Sequence, residues 1–318
     1  MRSKTWSLAL FMGLLALAVG LAGCATAPAP AKLKVGLLPI IDSLPFYVAD
    51  QEGYFKEQGV DVELVTFSSA LERDAALQAK QTDGQLADLI ATGLLNKDQI
   101  RVKIVKETFR GGSEMAMISV LVGPNSPIKS AADLRGKEVA VSHNSLIEYL
   151  TDRLVAEAGV GADAVKKTEV TRIPVRMEML SKGQVAAATL PEPLTTLAIQ
   201  AGARVILSDA KSQIGLSVLE FRTETLQDNP EGVRRFVAAH EKAVKAINAN
   251  RAKYLPLLAQ KANLPASLAT TFKVPPFPEN KVPNSEDINQ AQKWMLDKGL
   301  MSKPVSYTNM VDDRFLAR

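Results

Sequence analysis

One cysteine, two histidines and two tryptophans stand in 318 residues. A lone cysteine closes no internal disulfide, so no disulfide framework holds this fold. Together with two histidines it is also too little for a structural zinc cluster. Charge of one sign is missing as well: 38 Lys+Arg face 34 Asp+Glu, a formal net charge of +4. No Lys/Arg run interleaved with aromatics occurs, so nothing indicates a nucleic-acid surface. Past the first two dozen residues, no apolar run approaches the about 20 residues needed to span a bilayer. The body of the chain is therefore expected to be soluble. What remains is ordinary globular composition, 47% hydrophobic and 23% charged. At roughly 150 residues per domain, the length suits two units.

The chain opens on Met1, Arg2, Ser3 and Lys4, short and basic, followed by an unbroken apolar or small run over residues 6–20. Leu21-Ala22-Gly23-Cys24 comes next. This is the basic, apolar and small-residue order of an export signal. The LAGC sequence resembles a bacterial lipobox, whose cysteine is lipidated and becomes the mature N-terminus. The expectation is a signal over 1–24 with lipid on Cys24, then a small, Pro-broken tether over 25–32. The protein is then extracytoplasmic, in the periplasm or at the cell surface, and lipid-anchored.

From Leu33 short apolar strands alternate with helical stretches. Residues 33–38, 60–67, 88–92 and 101–108 read as strands, with helices opening near Asp42 and at the S-x-x-E capping box Ser69–Glu72. This βαβ grammar implies a parallel sheet flanked by helices. A second unit repeats it, with strands at 138–142, 165–173, 185–190 and 204–208 and another capping box at Ser145–Glu148. Residues 115–122 and 214–221 read as extended crossing strands. Val233, Phe236, Val237, Val244 and Ile247 then recur at helical spacing. That helix must return to the first unit. The expected fold class is α/β, a two-lobed clamshell whose lobes are mixed, mostly parallel sheets flanked by helices. Lobe one takes residues 33–121 and 217–318; lobe two takes 122–216.

The motifs resemble a known family. Pro45-Phe46-Tyr47-Val48-Ala49 and the stretch from Glu52-Gly53-Tyr54-Phe55-Lys56 to Val62 are similar to the opening of the nitrate/taurine/alkanesulfonate and thiamin-precursor binding proteins. Pro127 through Lys137, Gly183 through Pro193, and the tail from Trp294 to Leu316 fit the same pattern. The resemblance implies a type II periplasmic-binding fold and the role of a solute-binding lipoprotein of an ABC importer. It further implies a permease and an ATPase as partners, a monomer, and no cofactor. It leaves the solute open: alkanesulfonates or taurine, nitrate-like anions, or heteroaromatic vitamin precursors. Two other roles fit the same fold, a ligand-sensing receptor subunit and an enzyme of the thiamin-pyrimidine synthase type.

In open α/β sheets ligands sit beyond the carboxyl ends of the strands, which selects the candidate contacts. Lobe one offers Asp42, Phe46, Ser68, Ser69 and Thr92; lobe two offers Ser142, His143, Asn144, Ser145 and Glu192. Ser69 and Ser145 read equally as helix caps alone or as caps that also meet a ligand. Asp42 is a helix cap or a contact. Glu192, stiffened between Pro191 and Pro193, suits a preorganised acceptor and matches the family's motif. No G-x-S-x-G, H-E-x-x-H or phosphate-cradling glycine loop is present, so catalysis is not expected.

Overall fold

The computed structural model describes residues 32–212, 215–262, 264–265, 268 and 270–317. The expected signal 1–24 with Cys24, residues 25–31 of the expected tether, and Ile214 lie outside them. Among the described residues, no helix is long and apolar enough to cross a membrane.

The apolar run at Leu33 becomes β1 (Leu33–Leu37), followed by β2 (Val62–Thr66), β3 (Gly84–Asp88) and β4 (Val102–Arg110). The chain crosses over and forms β5 (Ile118–Val122), β6 (Glu138–Val141), β7 (Lys166–Glu169), β8 (Ala187–Pro191) and β9 (Arg204–Ser208). It then returns as β10 (Leu216–Arg222). Two five-stranded sheets result, ordered β2-β1-β3-β10-β4 and β7-β6-β8-β5-β9. In each, three strands pair in parallel and one crossing strand inserts antiparallel beside the third. The two lobes therefore share one topology, with each lobe's antiparallel strand next to a crossover. This is the two-lobed α/β clamshell that the alternating pattern predicts.

The first crossover comes earlier than expected. β5 belongs to the second sheet, where it pairs with β8 and β9, so the expected limit of lobe one at residue 121 falls inside a lobe-two strand. The crossovers run side by side, and the Gly111 amide donates to the Gly215 carbonyl at 3.0 Å.

The expected strand at 88–92 is also corrected. Asp88 ends β3 and caps the helix Leu89–Asn96, its Oδ1 accepting the Ile90 and Ala91 amides at 3.0 Å each. An aspartate at an N-cap satisfies helix donors that would otherwise be orphaned, and it turns the apolar LIATGLL run into a buried helix.

The helix Pro230–Ala249 packs back on the first lobe as its periodicity requires, with Val233, Phe236, Val237, Val244 and Ile247 fully buried. Phe236 stacks on Phe55 and meets Phe221 edge-on, at ring distances of 4.8 and 5.5 Å. The outer edge of β4 is covered by the C-terminal segment through the Ile104–Val311 bridge.

Candidate functional site

The carboxyl ends of β1 and β3 face those of β6, β7 and β8 across a cleft, and the lobes are drawn nearly shut over it. The Ile41 amide donates to the Glu192 carbonyl at 3.0 Å, and the Ile173 amide to the Ser68 carbonyl at 3.3 Å, both between lobes. Behind these contacts lies a cavity of about 600 Å3 counted out to its mouth. Leu38, Ile40, Asp42, Ala70, Arg73, Leu86, Ala87, Asp88 and Ser217 form its first-lobe wall. Met117 and Ile118 line it at the crossover, and Ser142, Ser145, Leu146, Ile147, Thr171, Ile173, Arg176 and Pro191 form the second-lobe wall. A mostly apolar chamber with a few fixed polar groups is the usual form of a small-molecule site.

Four charged side chains lie in these walls, all of them buried. Asp42 accepts a short hydrogen bond from the Ser217 hydroxyl. Burial pushes its carboxyl up to about 7 against that bond, and the nearby Asp209 and Asp88 charges add to the shift. Asp88 is pushed up by burial too, opposed by the Arg73 charge and by the helix amides it caps. Arg73 is neutralised locally, its guanidinium 2.8 Å from Asp74, and it donates to the Leu86 carbonyl at 2.7 Å. Arg176 has no such partner among the described residues. It donates to the Val170 and Thr189 carbonyls at 3.0 and 2.9 Å. Burial lowers its pKa to about 10, still protonated at neutral pH.

Of the sequence candidates, the structure brings Asp42, Ser142 and Ser145 to this cavity. Asp42 lies inside the one-turn helix Ile41–Ser43 and makes no side-chain cap bond, so the cap reading gives way to the Ser217 contact. Ser145 caps the helix Leu146–Glu157 through the Ile147 amide and donates to the Ser142 carbonyl at 2.6 Å. Ser69 caps the helix Ala70–Gln78 through the Glu72 amide and is not in the cavity wall. Ser68 is a bridging residue at the closed rim, its hydroxyl accepting from Arg172 of the other lobe at 3.2 Å. His143 and Asn144 line an adjoining groove with Ser142, Ser145 and Leu71. The His143 amide donates to Glu169 at 2.7 Å.

Three candidates are corrected. Phe46 is fully buried in the first lobe, edge-on to His240 at 4.5 Å, because its place on the helix Leu44–Gln51 faces the Phe236 helix. Thr92 belongs to the buried helix after β3 and donates to Glu220 at 2.6 Å, beneath the sheet end rather than in the cleft. Glu192 turns its carboxylate back on its own segment, where it accepts the Thr196 amide at 3.1 Å. Its neighbour Pro191 lines the cavity instead.

The chain is similar to proteins of known kind. A family model described as NMT1/THI5 like matches residues 40–253. The chain belongs to this family. A putative aliphatic sulfonates-binding protein of Escherichia coli (strain K12) is 28% identical over 155 residues, 48% of each chain. The match thus spans about half the length of that curated relative. Among solved structures, the periplasmic aliphatic sulphonate binding protein SsuA of Escherichia coli superposes with a TM-score of 0.73 at 21% identity. It covers 89% of this chain and 92% of its own. The alkanesulfonate-binding protein SsuA of Xanthomonas axonopodis pv. citri, bound to MOPS, gives 0.75 at 18% identity, covering 89% and 99%. These likenesses show the periplasmic-binding fold.

The wall residues that sequence reasoning missed include Arg73, Asp88, Arg176 and Ser217. Asp88 carried a readable signal, an Asp just ahead of an apolar helical run. The two arginines carried none, since a pattern of apolar periodicity treats arginine as surface. Ser217 reaches the site only through the return of β10 from the second lobe.

Proposed function

We propose that the protein is an extracytoplasmic solute-binding subunit of an ABC importer, closing its two lobes around a small organic solute and presenting it to a permease–ATPase partner. The observation that carries this reading is the cavity itself, shut between the strand ends of two lobes that meet through hydrogen bonds across its rim. A solute that contacts both walls favours the closed arrangement by its differential affinity. The sulfonate-binding relatives make alkanesulfonates the first solutes to test. The finer parts of the reading are a lipid anchor on Cys24, release of the signal before it, and a monomeric state.

The test is a thermal-shift panel of alkanesulfonates, nitrate and heteroaromatic amines on the purified protein. A ligand at 100 times its Kd adds about 2.7 kcal/mol of stability. Saturable stabilisation by one class supports the reading; a flat panel together with a product formed from any compound overturns it.

A further inference from the structure

The cavity does not end at its rim. Ala70, Ser142, Ser145 and Thr171 line both the cavity and the adjoining groove between the lobes. All four side chains are small, so no bulky group at this neck divides the two spaces. The groove measures about 920 Å3 counted out to solvent. Its first-lobe side carries the apolar Leu71, Ala91, Leu94 and Leu95 among the charged Asp74, Lys97, Asp98 and Arg101. His143, Asn144 and Glu169 line it from the second lobe.

Leu71 stands out. It is 66% exposed, the most exposed large hydrophobic side chain among the described residues. The helix Ala70–Gln78 buries Arg73, Ala76 and Leu77, whereas Leu71, Asp74 and Gln78, at helical spacing, line the groove. An amphipathic helix keeps its outward face polar, and here that face begins with a leucine. A single exposed hydrophobic residue means little by itself. This one shares a groove with Leu94 and Leu95, and that groove continues the cavity.

We infer that the cavity and the groove form one continuous site, and that the solute is a medium-chain amphiphile. Its polar head occupies the cavity. Its unbranched apolar tail passes the neck at Ala70, Ser142, Ser145 and Thr171 and lies along Leu71, Leu94 and Leu95. This rests on the solute-binding reading and deepens it by assigning the length of the tail, whatever the head group. Solutes the size of taurine or nitrate leave the leucines exposed to water and bind more weakly. Because the groove is open to solvent, the tail stays half-covered when the lobes are shut.

The test is titration calorimetry of the purified protein with n-alkanesulfonates and n-alkanecarboxylates of two to ten carbons, each kept below its micelle concentration. A fully buried methylene adds roughly fourfold in affinity, and a half-covered one about twofold. With the head group that binds, the eight-carbon probe is expected to be at least about tenfold tighter than the four-carbon probe. Leu71→Ser should weaken the eight-carbon probe by about threefold to tenfold and the four-carbon probe by less than about twofold, since the shorter tail ends before the groove. An affinity that stays flat beyond four carbons overturns the extended site and leaves the importer reading standing. A loss on Leu71→Ser that is equal at every chain length overturns it too, because a merely structural role gives that result. No binding in either series overturns the amphiphile assignment, and the thermal-shift panel then decides the importer reading separately. The chain-length profile of the unmodified protein keeps the test decisive if Leu71→Ser does not fold.

Discussion

Lys298, at the end of the helix Ser285–Asp297 on the first lobe, places its ammonium 2.6 Å from Glu148 on the second. The same Glu148 accepts the amide of Asn144 at 2.7 Å, two residues beyond the cavity residue Ser142. Trp294, one turn earlier, donates to Asp152 at 3.0 Å. One carboxylate thus ties the ligand-side loop of lobe two to an anchor on lobe one, so loop geometry and lobe closure are mechanically linked.

Lys298→Met should therefore loosen closure without disturbing either core. The pair is only part-buried, which limits its worth to roughly 0.5–1.5 kcal/mol. Solute affinity is expected to fall about threefold to tenfold, and the radius of gyration of the unliganded protein to rise in small-angle scattering. Unchanged affinity would detach this contact from closure.

The crossovers leave no room for a side chain. A Cβ on Gly111 would lie 2.6 Å from Asp209 Oδ2 and 2.9 Å from the Met117 amide nitrogen. Asp209 is fully buried, with one carboxylate oxygen accepting the Ile118 amide at 3.1 Å. Gly111→Ala should then cost about 1–3 kcal/mol, the range for overpacking a tight site, measured as a lower urea midpoint with an unchanged slope. Retained stability would show that the crossover gives way easily.

Stability should also depend on pH in a definite direction. Burial pushes Asp209 up to about 6, Asp42 to about 7 and Glu220 to about 8. Each binds its proton more tightly folded than unfolded, so its contribution is full below the ordinary carboxyl range near pH 4. That contribution is lost as pH rises through about 6 to 8. The unliganded protein is expected to lose melting temperature steadily from pH 5 to 8.5. Glu220→Gln should flatten the upper part of that decline; a melting temperature that rises over the interval would contradict the assignment.

Much of the fold was legible because apolar spacing records which faces are buried. The helix Pro230–Ala249 and the short strands β1, β6 and β9 came from that signal alone, and the caps at Ser69 and Ser145 from a three-residue spacing. The site was less legible because it is assembled by topology. Phe46 and Thr92 stand in sequence where a cleft loop was expected, but their side chains point into the core. Asp42 and Ser217 lie 175 positions apart and meet only because β10 returns. Arg73 and Arg176 look like surface residues in sequence, yet both are buried, each held by a backbone carbonyl of its own lobe.

The central claim, capture of a solute between the lobes, is tested most directly by blocking the cavity. Ala70 lies in its wall on the first turn of the helix Ala70–Gln78, and Ala70→Trp would fill the space between the lobes. Titration calorimetry of an alkanesulfonate series on both proteins should give one site on the unmodified chain. The variant should show no binding while its melting temperature stays within a few degrees. Binding of equal affinity to Ala70→Trp would contradict the account.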